Sequence, residues 1–347
     1  MPVFESKLNV NSEAFAKNRA DQLEKLAHMR MLEARAEAVS EKRRPRFEER
    51  GQLTPRDRLA QLLDPGMPYL PLYNMASYCV DDPDRDTSIP GGSVLAGIGY
   101  VNGVRCTVCV DDSGINAGAA TEMGFRKNLE VMRIALANKL PFIHLVESAG
   151  ANLMTYKVEL WAHGGSVFYT LAKLSAAGIP TMTVLHGPST AGGAYMPGMS
   201  DYNVGVKHNG MAALGGAALV QAATGEIADE RELGGSEMHS SVTGLIEYLA
   251  EDDRDGIRQI REVVGGIGWN EHCPPAPQRD FAAPVYEAEE ILGLVPVDYK
   301  VPYEGRELIA RLVDGAEFTD FKSRFGPNLV CVQAKIFGHP VGWVAKN

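Results

Sequence analysis

Long apolar runs are missing from this chain. No stretch approaches the roughly 18 consecutive apolar residues needed to cross a bilayer, so no transmembrane helix is expected. Positive charge is in the minority: Lys and Arg total 34 against 44 Asp and Glu, a formal net charge of −10. That balance argues against nucleic acid or an anionic membrane as the main partner. Cysteine is sparse and odd in number, with five scattered at 79, 106, 109, 273 and 331, which suits reduced thiols better than a disulfide framework. Cys106-Thr-Val-Cys109 has metal-ligand spacing, but it lies in a strand-like run where residues i and i+3 point to opposite faces. No second Cys/His pair is placed to complete a site, so both read as core and no metal is expected. The N-terminus, Met-Pro-Val-Phe-Glu-Ser, lacks the basic-then-apolar pattern of a secretory leader, and the expected compartment is the cytoplasm.

What is present is ample for two domains: 347 residues, 45% of them hydrophobic and 22% charged, ordinary for a soluble globular protein. Residues 12–39 read as one long helix capped by Ser12, with Phe15, Leu23 and Leu26 as a narrow apolar stripe. In Arg50-Gly-Gln-Leu-Thr-Pro-Arg-Asp-Arg-Leu-Ala-Gln-Leu-Leu-Asp-Pro-Gly66, Thr54 is an N-cap with Pro55 at the first helical position. The charges of that segment read as a solvated face. Residues 91–112 read as a hairpin turning at Asn102-Gly103, and residues 121–138 as an amphipathic helix with Phe125, Leu129, Met132 and Leu136 on one face. A further helix is expected over 157–175.

Two segments carry chemistry. Pro180-Thr-Met-Thr-Val-Leu-His186 reads as a buried strand, and Gly187-Pro-Ser-Thr-Ala-Gly-Gly-Ala-Tyr195 follows it with small residues. Gly192 and Gly193 let a ligand approach the main chain because no Cβ intervenes. Such amides suit an oxygen that gains negative charge during reaction, the more so if Ala194 opens a helix. Pro141-Phe-Ile-His-Leu-Val146 and Glu147-Ser-Ala-Gly-Ala151 repeat the design. Joined by a helix, the two strands form a βαβ unit with adjacent ends, so one N–H from each loop is expected to converge on a single oxygen. His144 reads as a core histidine, whereas His186, directly before the loop, is a candidate site wall. Ser189 or Ser148 as the nucleophile of a serine hydrolase is the competing reading, although Gly187-Pro-Ser-Thr-Ala-Gly192 falls one residue short of the Gly-x-Ser-x-Gly elbow.

Residues 101–110 and 336–345 share an apolar–x–Gly–x–x–apolar–x–apolar–apolar–apolar pattern, as though a second unit built like the first opens near the end of the chain. Cut off there, that unit is expected to leave unpaired strand edges and disorder after about residue 325.

Together these segments resemble the carboxyltransferase (β) subunit of biotin-dependent acyl-CoA carboxylases. The matching runs are Arg50-Gly-Gln-Leu-Thr-Pro-Arg-Asp-Arg-Leu, Gly91-Gly92, Glu147-Ser-Ala-Gly-Ala151, Thr190-Ala-Gly-Gly-Ala-Tyr195, Ala223-Thr-Gly-Glu226, Glu232-Leu-Gly-Gly235 and Asp314-Gly-Ala-Glu-Phe-Thr-Asp-Phe321. Their flavour is nearest the methylcrotonyl- or geranyl-CoA type. The resemblance implies an α/β, crotonase-like ββα spiral domain over 89–285 that binds acyl-CoA, a helical arm and lead-in over 1–88, and a linker with the start of a truncated second domain over 286–347. It implies transfer of CO2 from carboxybiotin to an acyl-CoA through a thioester enolate held by backbone N–H groups. Gly192 and Gly193, helped by Gly150 and Ala151, would form that oxyanion hole. Ala149, Ala191, Ala194, Tyr195 and Gly118 would line the substrate, with Arg126 and Lys127 meeting CoA phosphates. Biotin on a carrier (α) subunit with its biotin carboxylase, and assembly into a homo-oligomer of hexamer type, are the implied partners. A non-catalytic or split CoA-binding chain, completed by a second domain on another polypeptide, is the alternative. Ala149 stands where many relatives have a second Gly, which bears on acyl specificity.

Overall fold

A computed structural model describes residues 2–150 and 158–346, the side chains of 160–163 excepted. It divides the chain into two compact units, Leu32–Pro275 and Met1–Met31 with Ala276–Asn347.

The chain opens with α1 (Glu13–Glu41), which starts behind Ser12, whose hydroxyl accepts the Phe15 N–H. Next come α2 (Arg44–Glu49) and α3 (Pro55–Leu62), the latter capped by Thr54 with Pro55 at its first position, as the sequence predicts. The short β1 (Leu70–Pro71) precedes the hairpin β2 (Val94–Val101) and β3 (Val104–Asp111). Thr121 caps α4 (Glu122–Asn138), and β4 (Phe142–Ser148), α5 (Val158–Ala176) and β5 (Thr181–Thr190) form the expected βαβ unit. A 3-10 turn, Ala191–Ala194, leads into α6 (Tyr195–Gly198), followed by β6 (Tyr202–Val206) and β7 (Met211–Ala213). Then come α7 (Ala217–Thr224), α8 (Glu230–Gly234), α9 (Ser236–Met238), β8 (Tyr248–Ala250) and α10 (Asp253–Gly266). The remaining elements are α11 (Ile291–Leu294), α12 (Gly305–Ala310), β9 (Phe318–Asp320), β10 (Leu329–Ile336) and β11 (His339–Lys346).

In the larger unit eight strands form one sheet in the order β1-β2-β3-β4-β5-β6-β8, with β7 paired to the last residues of β5. The first three strands are antiparallel and the rest parallel. The parallel strands β4 and β5 are buried along nearly their whole length, as parallel strands covered on both faces must be. Cys106 and Cys109 sit in this core. Helix α4 packs on β2, β3 and α5, while α10 packs on α3, β5, β6 and β8. In such sheets ligands collect at the carboxyl ends of the parallel strands; here those ends are Asp111, Ser148 and Thr190.

The smaller unit holds a three-stranded antiparallel sheet, β11-β10-β9, over a core of Ile309, Val313, Phe318, Val330 and Val332. Its hairpin repeats the β2–β3 hairpin in detail. Both turn in two residues with positive φ, Asn102 (47°) and Gly103 (77°) against Phe337 (50°) and Gly338 (76°), the twist that closes two-residue hairpins. An aspartate clasps each turn by both its amides. Asp64 accepts Asn102 N–H and Gly103 N–H at 2.8 and 2.7 Å, and Asp314 accepts Phe337 N–H and Gly338 N–H at the same two distances. Each aspartate lies ten residues after a helix N-cap, Thr54 and Glu304 (64 − 54 and 314 − 304). The repeat seen in the sequence thus extends back through the preceding helix. Residues 329–346 pair as a hairpin where disorder was expected, and β10 has β11 on one side and β9 on the other, while β11 keeps the unpaired edge that was expected. Strands β11 and β9 are the two edge strands of this sheet, and on the outer side of β9 Phe318 N–H donates to Pro2 O.

Candidate active site at the carboxyl ends of β4 and β5

The glycine loop begins later than the sequence suggests. Strand β5 runs through Gly187-Pro-Ser-Thr190, held by β4 on one side and β7 beyond, so only residues 191–194 are free of the ladder. The helix that follows has four residues, too short for the macrodipole expected at Ala194. Ala191 enters the loop at φ +51°, an uncommon conformation for a residue with a Cβ and a mark of local strain. Ala191 and Gly192 lead a 3-10 turn, where amides have no acceptor in a preceding turn.

The two glycines differ in their surroundings. A Cβ on Gly192 would meet nothing nearer than Phe168 Cζ at 3.9 Å, whereas one on Gly193 would lie 2.9 Å from Ser189 Oγ and 3.5 Å from Ser148 Cβ. Gly192 faces open space. Gly193 rests on a floor of two serines.

Strand β4 ends beside this loop, with Ser148 paired to Ser189. The convergence of amides from both loops is not what the geometry gives. Ser148 Oγ donates to Gly118 O (3.2 Å) and accepts Gly150 N–H (3.1 Å), and Ala149 N–H also points to Gly118 O (3.3 Å). The Gly150 amide is therefore spent on fixing its own loop, and Ala151 lies outside the described residues. Among the described residues the loop at 191–193 is left as the candidate for holding an oxyanion. Gly118 is buried with φ +75°, and a Cβ there would lie 2.5 Å from Glu147 O. It packs against the end of β4.

Arg58, in the segment read from sequence as solvated, is fully buried. Its Nη1 donates to Glu147 Oε2 (2.6 Å) and its Nε to Asp253 Oδ2 (2.8 Å). Asp253 in turn holds His186 Nδ1 through its other oxygen (2.8 Å) and accepts Leu53 N–H (2.8 Å). One guanidinium thus ties the end of β4 to α10 and, through Asp253, to β5. Burial opposes the Arg58 charge, but the two carboxylates outweigh it and hold its pKa above the ordinary arginine value. Burial likewise pushes the Asp253 carboxyl upward, and His186 and Arg58 outweigh it, leaving its pKa well below the usual carboxylate range. Burial pushes the His186 pKa down; its Nδ1 meets Asp253 Oδ1, and its Nε2 has no hydrogen-bond partner among the described residues. Gly187 makes room for this network: a Cβ there would lie 2.5 Å from Glu147 Cγ. His144, a core histidine as expected, bonds Asp111 Oδ1 at 3.0 Å.

The serine-hydrolase reading fails on geometry. Ser189 is fully buried, its Oγ has no hydrogen-bond partner among the described residues, and neither does the free Nε2 of His186. Nucleophile and base are therefore not joined as a triad requires. Ser148 Oγ is occupied by its own loop.

The cationic pair predicted to meet phosphates is also placed elsewhere. Lys127 is buried, and its Nζ donates to Gly91 O (3.1 Å) and Val94 O (2.6 Å), joining α4 to the start of β2. Burial pulls its pKa down to about 8. Arg126 is exposed and paired with Glu122 one turn back at 2.8 Å. Tyr195 is half-exposed and stacks on Phe168 with ring centroids 4.6 Å apart. With Ala194 it opens an apolar cavity of about 790 Å³, walled by Met199, Leu214, Leu219, Val220 and Leu245.

A family model described as the carboxyl transferase domain matches residues 46–347. A probable biotin-dependent acyl-coenzyme A carboxylase beta2 subunit of Mycobacterium tuberculosis is 44% identical over 301 residues, 86% of this chain and 55% of that protein. The beta subunit of P. aeruginosa geranyl-CoA carboxylase superposes with a TM-score of 0.91 at 46% identity, covering all of this chain and 64% of the other. The transcarboxylase 12S structure with methylmalonyl-coenzyme A and methylmalonic acid bound gives 0.63 at 27% identity, covering 94% and 63%. This chain spans little more than half the length of the curated relative. Both the doubled hairpin and the glycine loop at the end of β5 lie inside the matched residues, and the chain belongs to the carboxyl transferase domain family.

Proposed function

We propose that this chain is the acyl-CoA-binding part of the carboxyltransferase component of a biotin-dependent acyl-CoA carboxylase. The observation that carries the reading is the continuity of two features: the small-residue loop Ala191-Gly-Gly193 and the apolar cavity that starts at Ala194 and Tyr195. A thioester oxygen at the loop amides would direct its acyl chain into that cavity. An elongated or branched apolar acyl group suits its walls, in keeping with the geranyl-CoA carboxylase it resembles. Residues 89–285 would carry the acyl-CoA, and residues 286–347 would open the second domain.

The protein's own part is small in side-chain chemistry. The loop amides hold the thioester oxygen as it gains charge, each such donor being worth roughly 3–4 kcal/mol. The cavity orients the acyl carbon and excludes water, and the Arg58 network keeps β4 and β5 in register beneath the loop. Carboxybiotin, carried on a partner subunit, supplies the CO2. The described residues fit the acyl side of that exchange, and residues 276–346, which hold α11, α12 and strands β9–β11, show no counterpart of the 187–195 loop among them. The biotin carrier subunit and a hexameric assembly, the latter named for transcarboxylase 12S, are the partners this reading assigns. The free thiols of all five cysteines favour a cytoplasmic location.

Calorimetric titration with acetyl-, propionyl-, methylcrotonyl- and geranyl-CoA tests the proposal. Micromolar binding that tightens with acyl length is expected, since each buried methylene contributes about 0.8 kcal/mol. If the folded protein binds none of these esters, the assignment fails.

A further inference from the structure

The two edge strands of the smaller unit are treated unequally. Outside β9 runs the N-terminal segment: Val3 bridges Glu317 in the antiparallel sense, Phe4 N–H donates to Ala316 O at 2.9 Å, and Phe318 N–H donates to Pro2 O at 3.3 Å. Phe4, Ser6 and Leu8 are half-buried, whereas Val3, Glu5 and Lys7 are exposed. That two-residue period marks an extended segment lying against a sheet.

Buried groups receive this segment. The Phe4 ring stacks on Phe318 with centroids 5.5 Å apart. Tyr286 Oη donates to Phe4 O (3.0 Å) and accepts Ser6 N–H (2.9 Å). Glu307, only 5% exposed, takes the Ser6 hydroxyl on one carboxylate oxygen (2.6 Å) and Lys7 N–H on the other (2.7 Å). Arg311, buried beside it, joins Glu307 to Glu290 and reaches Ser6 Oγ at 3.2 Å. Backbone pairing, an aromatic platform and a carboxylate that reads a hydroxyl are the means by which a sheet edge recognises an extended peptide. The tether behind the segment is loose by comparison. Asn9, Val10 and Asn11 are exposed, and no residue of α1 before Leu32 is buried.

We propose that residues 2–8 are a detachable strap, and that the groove they fill takes the same segment from a second copy of this chain, two copies trading straps. Phe4 and Ser6 are the side chains the groove reads. Exchange costs little, because every contact made within one chain is remade between two, and the exposed residues 9–11 supply the hinge. An empty groove would bare the edge of β9 to indiscriminate pairing, which favours exchange over simple release. The inference concerns the smaller unit and stands apart from the acyl-CoA reading.

The test uses the full chain carrying Phe4→Ala and Ser6→Ala together, which weakens its own strap and leaves the groove intact, with the fold checked by circular dichroism. A fluorescent peptide of residues 1–10 is expected to bind this variant at least about tenfold more tightly than it binds the parent, whose tethered strap competes at high effective concentration. Peptides carrying Phe4→Ala or Ser6→Ala are expected to bind more weakly, the latter by about tenfold for the lost hydrogen bond to a charged group. An affinity-tagged copy of the variant is expected to retain untagged parent, and excess peptide to release it. Equal peptide binding by variant and parent, or by parental and substituted peptides, overturns the groove. Peptide binding without capture of the parent overturns the second copy as its occupant. If the variant does not fold, the parent alone decides. Hydrogen exchange at the Phe4, Ser6 and Lys7 amides is expected to run at least about tenfold faster than in the β10–β11 ladder, and equal protection overturns a strap that detaches.

Discussion

Replacing Arg58 by methionine is expected to lower the unfolding free energy by about 3–5 kcal/mol, the cost of leaving buried carboxylates without their counter-ion. Glu147 and Asp253 are both at most 5% exposed, so water cannot take over the hydrogen bonds that the guanidinium makes. Methionine fills much of the volume but offers no donor. Equilibrium denaturation of the two proteins at neutral pH measures the difference. Its pH dependence identifies the cause. Arg58 helps hold the folded Asp253 carboxyl below its usual range, so this contribution is present above the unfolded value of about 3.9 and is lost as pH falls toward the folded one. The gap between parent and variant should therefore narrow below about pH 4. A gap that stays constant down to acid unfolding would assign the loss to packing instead.

Gly118→Ala is expected to cost about 2–3 kcal/mol and to weaken acyl-CoA binding as well. Two effects add at this position. The φ of +75° disfavours any residue with a Cβ, and that Cβ would sit 2.5 Å from Glu147 O, a backbone atom that cannot swing aside. Relief requires moving the end of β4, which carries Ser148 and the Glu147 side chain bound to Arg58. Gly103→Ala is the control. Its φ of +77° is similar but nothing lies within 4 Å of the new Cβ, so only the conformational cost of about 1 kcal/mol remains. Equal losses at 118 and 103, compared by thermal unfolding, would show that the close approach to Glu147 does not matter.

Much of this architecture is legible in the sequence because it is local. Thr54-Pro55 and Thr121 announce helix starts, Asn102-Gly103 announces a hairpin, and the apolar runs before Glu147 and Gly187 announce strands of a βαβ unit. Interactions at long range are what the sequence conceals. Arg58 reaches Glu147 and Asp253, 89 and 195 residues away, and no local pattern distinguishes it from the paired surface arginines beside it. Lys127 falls off the apolar stripe of α4 and so reads as surface, but the first residues of β2 fold over it and offer two carbonyls. The Gly150 amide looks free until Ser148 is seen to turn back on its own loop. In the glycine loop itself, the small residues mark the place correctly and the start of the loop wrongly, because β7 extends the ladder to Thr190.

The central claim is that the thioester oxygen lies on the amides of the loop after β5, and Gly192→Val tests it most directly. A Cβ at 192 meets no atom nearer than Phe168 Cζ at 3.9 Å, so the fold is expected to be kept, with a melting temperature close to that of the parent, while the new isopropyl group fills the space beside the amides. The account predicts that calorimetric titration of this variant shows at least a hundredfold loss of acyl-CoA affinity. A variant that melts like the parent and binds the same ester equally well would contradict it.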